Sequence, residues 1–139
     1  MITGQTLTPG RAAARCLVLT SPLSFWGGTD SQCRVSDVRH PQFGADLAGR
    51  VLVMETGRGS SSSASVLAEQ IRTHVAPAAI ILGEADPILV VGAMVAFELY
   101  GLTLPIVVVE RAELSRLSDG LDVRLLAETS TCAIHLAAP

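Results

Sequence analysis

The chain has 139 residues, 49% hydrophobic and 17% charged, and its 10 basic against 13 acidic side chains leave a net charge of −3. Every basic residue is an arginine, and without lysine a Schiff base, a pyridoxal anchor and a Walker-type phosphate loop are excluded. No basic stripe is available for nucleic acid, the many aliphatics exclude a disordered chain, and the length fits one domain, 1–139, that buries roughly 70% of its unfolded surface.

The first fifty or so residues are rich in Gly, Pro, Ser and Thr, with short apolar runs such as Cys16-Leu17-Val18-Leu19. They read as short strands with turns. Beyond Gly49 the pattern changes. Residues 50–54 form a buried strand, Gly57-Arg58-Gly59 a turn, and 61–73 a helix whose apolar stripe is Ala64, Leu67, Ala68, Ile71 and Val75. A second strand covers 78–82. Asp86-Pro87 then supplies an N-cap and first turn for a helix running to Tyr100. A third strand is expected at 105–109, a short helix at 111–118, and two more strands at 121–126 and 131–136. Strand–helix–strand–helix–strand implies a parallel β/α layer. With the β-rich first half packed on it, the fold class is α/β, a three-layer β/β/α domain.

Mean hydropathy is positive at +0.46, so a membrane span deserves a test. The best stretch, 88–109, has one charge, Glu98, and is broken by Gly101 and Pro105. A helix, a turn and a buried strand account for it better than a span of about 20 apolar residues. No charged segment leads into a long apolar run at the start, so no signal peptide is expected. Cys16, Cys33 and Cys132 are widely spaced with no C-x-x-C pair, which gives no metal or iron–sulfur site and fits reduced thiols in the cytoplasm.

The stretch with chemical content is Thr56-Gly57-Arg58-Gly59-Ser60-Ser61-Ser62-Ser63, between a buried strand and a helix. Its glycines permit positive φ and close backbone approach. The first helical turn behind them directs unpaired N–H groups and the positive dipole end outward. That setting binds a carboxylate or phosphate and stabilises an alkoxide. Arg58 adds a planar bidentate donor for a carboxylate. Read blandly, the serine run is an N-cap with spare hydroxyls. A dinucleotide G-x-G-x-x-G is excluded by Ser62, and no G-x-S-x-G elbow is present. His40 before Pro41 reads as a turn residue, His74 as a helix end, and His135 as part of an edge strand. Ser24-Phe25-Trp26-Gly27-Gly28-Thr29-Asp30 gathers aromatics beside two glycines, either as a packed turn or as a contact surface.

Three blocks together resemble the aconitase X small-subunit family. Pro22-Leu23-Ser24-Phe25-Trp26-Gly27-Gly28-Thr29-Asp30 resembles its SFxGGxD block, and Gly57-Arg58-Gly59-Ser60 its G-[RK]-G-S loop. Pro77–Asp86 and Val95–Val108 resemble its last characteristic stretch, so nearly the whole chain is covered. The resemblance implies a swivelling β/β/α domain of the aconitase type. It implies a larger catalytic subunit, separate or fused, that holds the iron–sulfur cluster or iron, none being bound by this chain alone. It also implies dehydration of a small hydroxy-acid. The options are cis-3-hydroxy-L-proline, giving Δ1-pyrroline-2-carboxylate, and mevalonate 5-phosphate, the substrate of the phosphomevalonate dehydratase branch. Arginine-for-lysine and alanine-rich usage leans to the bacterial hydroxyproline branch. By the same resemblance Ser60 is the proton-abstracting base, ahead of Ser61 or Ser62, with Arg58, Gly59, Ser61 and Ser62 binding substrate. Thr29 departs from the family's frequent valine, and the four-serine run departs from its more varied sequence. Two rivals stand beside this reading. One is a phosphohistidine swivelling domain, which needs a histidine that 83–87 lacks. The other is a non-catalytic anion-binding domain.

Overall fold

The computed structural model describes residues 1–138. In chain order the elements are β1 (Ile2–Thr8), β2 (Gly10–Val18), α1 (Phe25–Gly28), β3 (Val51–Met54), α2 (Ser62–Arg72), β4 (Ala79–Leu82), α3 (Pro87–Tyr100), β5 (Ile106–Val108), α4 (Arg111–Leu114), β6 (Asp122–Ala127) and β7 (Thr131–Leu136). The apolar runs expected to be strands and the two longer helices lie within a residue or two of their expected places. The helix read over 111–118 is only the single turn α4, followed by isolated turns closed by Arg116 N–H on the Glu113 carbonyl and Leu117 N–H on the Leu114 carbonyl. It has no side-chain cap to extend it. α1 is irregular, because Trp26 (φ −81°, ψ 117°) and Gly27 (φ 80°) leave the helical region.

Parallel pairing joins β2, β3, β4 and β5, as the βαβ pattern requires. Closure goes beyond the sequence reading. The parallel and antiparallel strands are joined edge to edge, and all seven close into one mixed barrel in the order β1-β5-β4-β3-β2-β6-β7. Closure follows from β1, which pairs antiparallel with β5 on one side and β7 on the other. β6 completes the ring against β2 and β7. β7 is therefore not an edge strand, since it pairs with β1 on one side and β6 on the other. Where the β1–β5 register shifts between Thr6 and Thr8, the Thr8 hydroxyl repairs the ladder. It donates to the Leu104 carbonyl at 2.7 Å and accepts from Ile106 N–H at 2.8 Å.

Because side chains alternate along a strand, the parallel strands feed two cores. Val51, Val53, Ala79, Ile81 and Val107 join Ile2, Cys16, Val123, Leu125, Cys132 and Ile134 in a cluster to which all seven strands contribute, the barrel interior. Leu52, Met54, Ile80, Leu82 and Ile106 face outward onto Leu67 and Ile71 of α2 and Leu89, Ala93 and Ala96 of α3. Each of the leucine, isoleucine and methionine side chains contributes about 1.5–3 kcal/mol when fully buried. Two-sided burial explains why β3 and β4 are apolar at every position. Residues 88–109 divide into most of α3, a connection and β5, and no described helix is long and apolar enough to cross a membrane.

Candidate functional site

A parallel strand delivers its helix at the strand's carboxyl end, so the N-termini of α2 and α3 lie at the same end of the barrel. The loops after β3 and β4 are tied there by Gly83 N–H, which donates to the Met54 and Glu55 carbonyls at 3.3 and 3.0 Å. Leu23 forms a parallel bridge with Gly57, and Arg58 N–H donates to the Leu23 carbonyl at 3.4 Å. Segments 22–30, 55–63 and 83–89, far apart in sequence, thus meet at one place.

The four serines have four environments. Ser60 is exposed, and its Oγ accepts from Ser62 N–H at 3.2 Å while its carbonyl accepts from Ser63 N–H at 3.0 Å. Ser61 stands at the N-cap but makes no side-chain cap bond, and both Ser61 and Ser62 are exposed. Ser63 is 2% exposed, and its Oγ accepts from Trp26 N–H at 3.1 Å. The N-terminal turn of α2 therefore already directs one backbone N–H at the Ser60 oxygen, with the positive helix end behind it. An N–H donated to a hydroxyl oxygen stabilises that oxygen as an anion, which is what proton abstraction by serine requires.

Gly59 has φ +105°, and a Cβ there would fall on Ser24 Oγ, so no other residue fits this approach. A Cβ at Gly57 would fall on Asp86 Oδ2. Asp86 caps α3 as read from sequence, its Oδ1 accepting from Ile88 N–H at 2.9 Å and Leu89 N–H at 3.4 Å. Arg58 is exposed and, among the described residues, has no carboxylate within 4.0 Å. Its guanidinium is free to grip a carboxylate. The loop is open to solvent, with Arg58, Gly59 and Ser60 to Ser62 all exposed.

Sequence reasoning placed the 24–30 block and the serine loop separately and missed their contact. Ser24 Oγ donates to the Trp26 carbonyl at 2.7 Å, and Gln70, 3% exposed on α2, donates to Thr29 Oγ1 at 2.9 Å and the Asp30 carbonyl at 3.3 Å. Gln70 also accepts from the Cys33 thiol at 3.3 Å. Ser63 and Gln70 are two turns apart on α2, hence on one face, and the only sequence trace of this brace is that spacing. Asp30 anchors the end of the block. Arg34 N–H above all, then Gln32 N–H and the Arg34 guanidinium, hold its carboxyl below the usual range.

The other polar candidates do not converge. His40 is a buried structural residue: its Nδ1 accepts from Gln42 N–H at 3.0 Å, so Nε2 carries the proton and donates to the Ser21 carbonyl at 3.0 Å. His74, with φ 62°, follows α2, and His135 is exposed on β7. The cysteines lie in different places, Cys16 and Cys132 within the barrel and Cys33 under the helices. Burial pushes the Cys16 thiol up to about 11 and the Cys33 thiol up to about 12, and also raises Cys132. Among the described residues no three of His, Cys, Asp or Glu gather as ligands would. Separated, protonated thiols do not fit an iron–sulfur cluster within this chain.

Comparison with known proteins places this arrangement. The family model for the aconitase X swivel domain matches residues 1–134. The cis-3-hydroxy-L-proline dehydratase of Pseudomonas aeruginosa is 48% identical over 107 residues, 76% of this chain and 18% of that protein. The chain thus spans under a fifth of the length of that relative, and also 18% of the like-named protein of Hypocrea jecorina. The phosphomevalonate dehydratase small subunit of Thermococcus kodakarensis is 32% identical over 132 residues, 94% of this chain and 93% of that one. The crystal structure of Thermococcus kodakaraensis aconitase X in its holo-form superposes with a TM-score of 0.85 at 30% identity, covering 99% of this chain and 98% of that chain.

Proposed function

Because the chain belongs to the aconitase X swivel-domain family, we propose that it is the small, swivelling part of a hydro-lyase that dehydrates a small hydroxy-acid. The substrate we favour is cis-3-hydroxy-L-proline, supported by the 48% identity to a dehydratase of that name. The observation that carries the reading is Ser60 at the start of α2, its Oγ already taking a backbone N–H, beside an unpaired Arg58. In this reading Arg58 and the exposed hydroxyls of Ser61 and Ser62 hold the substrate carboxylate, and Gly59 lets it approach the backbone. The Ser60 alkoxide removes the α-proton. Loss of hydroxide from the neighbouring carbon leaves an enamine, which tautomerises to Δ1-pyrroline-2-carboxylate.

The serine loop is open at the surface, so the opposite wall of the site is assigned to a larger catalytic subunit. That partner would hold the iron–sulfur cluster or iron, since the thiols of this chain do not fit one, and it would supply Lewis-acid assistance to the departing hydroxyl. The finer fold reading goes with this. The helices form one layer over a barrel with two walls, and residues 1–139 act as a single β/β/α unit of the aconitase type swinging against the partner in the cytoplasm. A second substrate, mevalonate 5-phosphate, is favoured by the end-to-end match to a phosphomevalonate dehydratase small subunit.

The test is Ser60→Ala in the assembled enzyme. Removing a general base is expected to lower kcat roughly 10²–10⁴-fold, while loss of the one hydrogen bond from Ser62 N–H lowers stability by only about 0.5–1.5 kcal/mol. A variant within a few-fold of the parent would leave Ser60 as a structural turn residue and the loop as a non-catalytic anion site.

A further inference from the structure

Trp26 is the one tryptophan of the chain and stands 57% exposed. Its backbone is nonetheless fixed at both ends. The N–H donates to buried Ser63 at 3.1 Å, and the carbonyl accepts from Ser24 Oγ at 2.7 Å. Ser24 in turn fills the space that a side chain on Gly59 would take. Phe25, 1% exposed, anchors the turn from below, and the left-handed Gly27 (φ 80°) turns the chain away immediately after the indole. A turn anchored by buried Phe25 and Gly28 thus holds a large aromatic side chain outside the core, pinned to the helix turn that bears Ser60. The core gains little from an indole left this exposed, so its use lies with whatever enters the site.

The charge pattern limits what that is. Arg58 offers a cation for a carboxylate, whereas an indole face attracts a cation and gives nothing to a second anion. Together they match a molecule carrying a carboxylate next to a protonated ring nitrogen on a small saturated ring. We propose that Trp26 is a substrate-contacting, specificity-determining residue that selects a cyclic amino acid over a phosphorylated hydroxy-acid. This rests on the reading of the serine loop as the dehydratase half-site.

The experiment uses the enzyme assembled with its larger subunit, with 5-fluorotryptophan incorporated only into this chain. Titration with cis-3-hydroxy-L-proline is expected to shift the single ¹⁹F resonance, and mevalonate 5-phosphate to leave it in place. Trp26→Ala is expected to raise KM for cis-3-hydroxy-L-proline about 10-fold with little change in kcat, and Trp26→Phe to recover most of it. The backbone bonds at 26 survive both substitutions, and an unchanged melting temperature verifies this. An unmoved resonance, or a KM within twofold of the parent, would overturn the proposal. So would Trp26→Ala that weakens subunit assembly while leaving KM unchanged, since the indole would then touch the partner. Ser60→Ala separates the two claims: it is expected to lose turnover and keep the fluorine shift. A Ser60→Ala enzyme that keeps turnover counts against the base, and a lost shift in the parent counts against Trp26.

Discussion

Residues 60–63 put one side chain, serine, into four surroundings, and the surroundings rather than the residue type assign the roles. Ser60 has the helix N–H and the open face, Ser61 stands exposed at the N-cap position, Ser62 is exposed in the first helical turn with its N–H on Ser60, and Ser63 is buried beneath Trp26. From sequence the run was legible as an anion loop or a cap, but its members could not be separated, because burial of Ser63 depends on a segment 37 positions away. Asp30, which closes that segment, yields a pH prediction. Its folded-state pKa is lowered, chiefly by Arg34 N–H, so the carboxylate stabilises the native state fully above the ordinary value of 3.8. That contribution is lost as pH falls below it. Denaturant titration at pH 6 and pH 3 is expected to show Asp30→Asn less stable than the parent at the higher pH. The gap should narrow at the lower, and one as large at pH 3 as at pH 6 would contradict the hydrogen-bonding account.

Among the elements, those with strong local signals were read most closely. β3 and β4 are unbroken apolar runs because both their faces are buried, and α3 announces itself by Asp86-Pro87 at the start and Gly101 (φ 67°) at the end. β1 was seen only as an unspecified short strand, and β2 only by its apolar end at Cys16-Leu17-Val18. The rest of β2, Gly10-Arg11-Ala12-Ala13-Ala14-Arg15, presents no stripe of large apolar residues. α1 was invisible, since its shape depends on the positive φ of Gly27. The capping carboxylate of α3 is also the group against which Gly57 packs, so stability and site geometry are coupled at Asp86. Asp86→Ala is expected to cost about 0.5–2 kcal/mol, read as a lower denaturation midpoint at unchanged slope. Asp86→Asn or Asp86→Ser, which retain a capping oxygen, should recover most of it. An Asp86→Ala variant as stable as the parent would mean that the cap is not holding the helix end.

For the whole molecule, alternation of helices and strands foretold the parallel half, whereas closure of the barrel was not legible. It depends on β1 pairing with both β5 and β7, strands that lie near the other end of the sequence, and no local pattern encodes such pairing. Closure has a functional consequence. With every strand paired on both sides and two cores filled, the barrel end bearing 22–30, 55–63 and 83–89 is a rigid platform open to solvent. It carries a serine, an arginine and helix N–H groups, while its three cysteines are buried apart as protonated thiols. The central proposal is that this is half of a dehydratase site. The most direct measurement is Δ1-pyrroline-2-carboxylate formation from cis-3-hydroxy-L-proline by this chain, by the larger subunit, and by the two combined. Product is expected only from the combination. Turnover by either part alone, or a stable complex inert toward both cis-3-hydroxy-L-proline and mevalonate 5-phosphate, would contradict it.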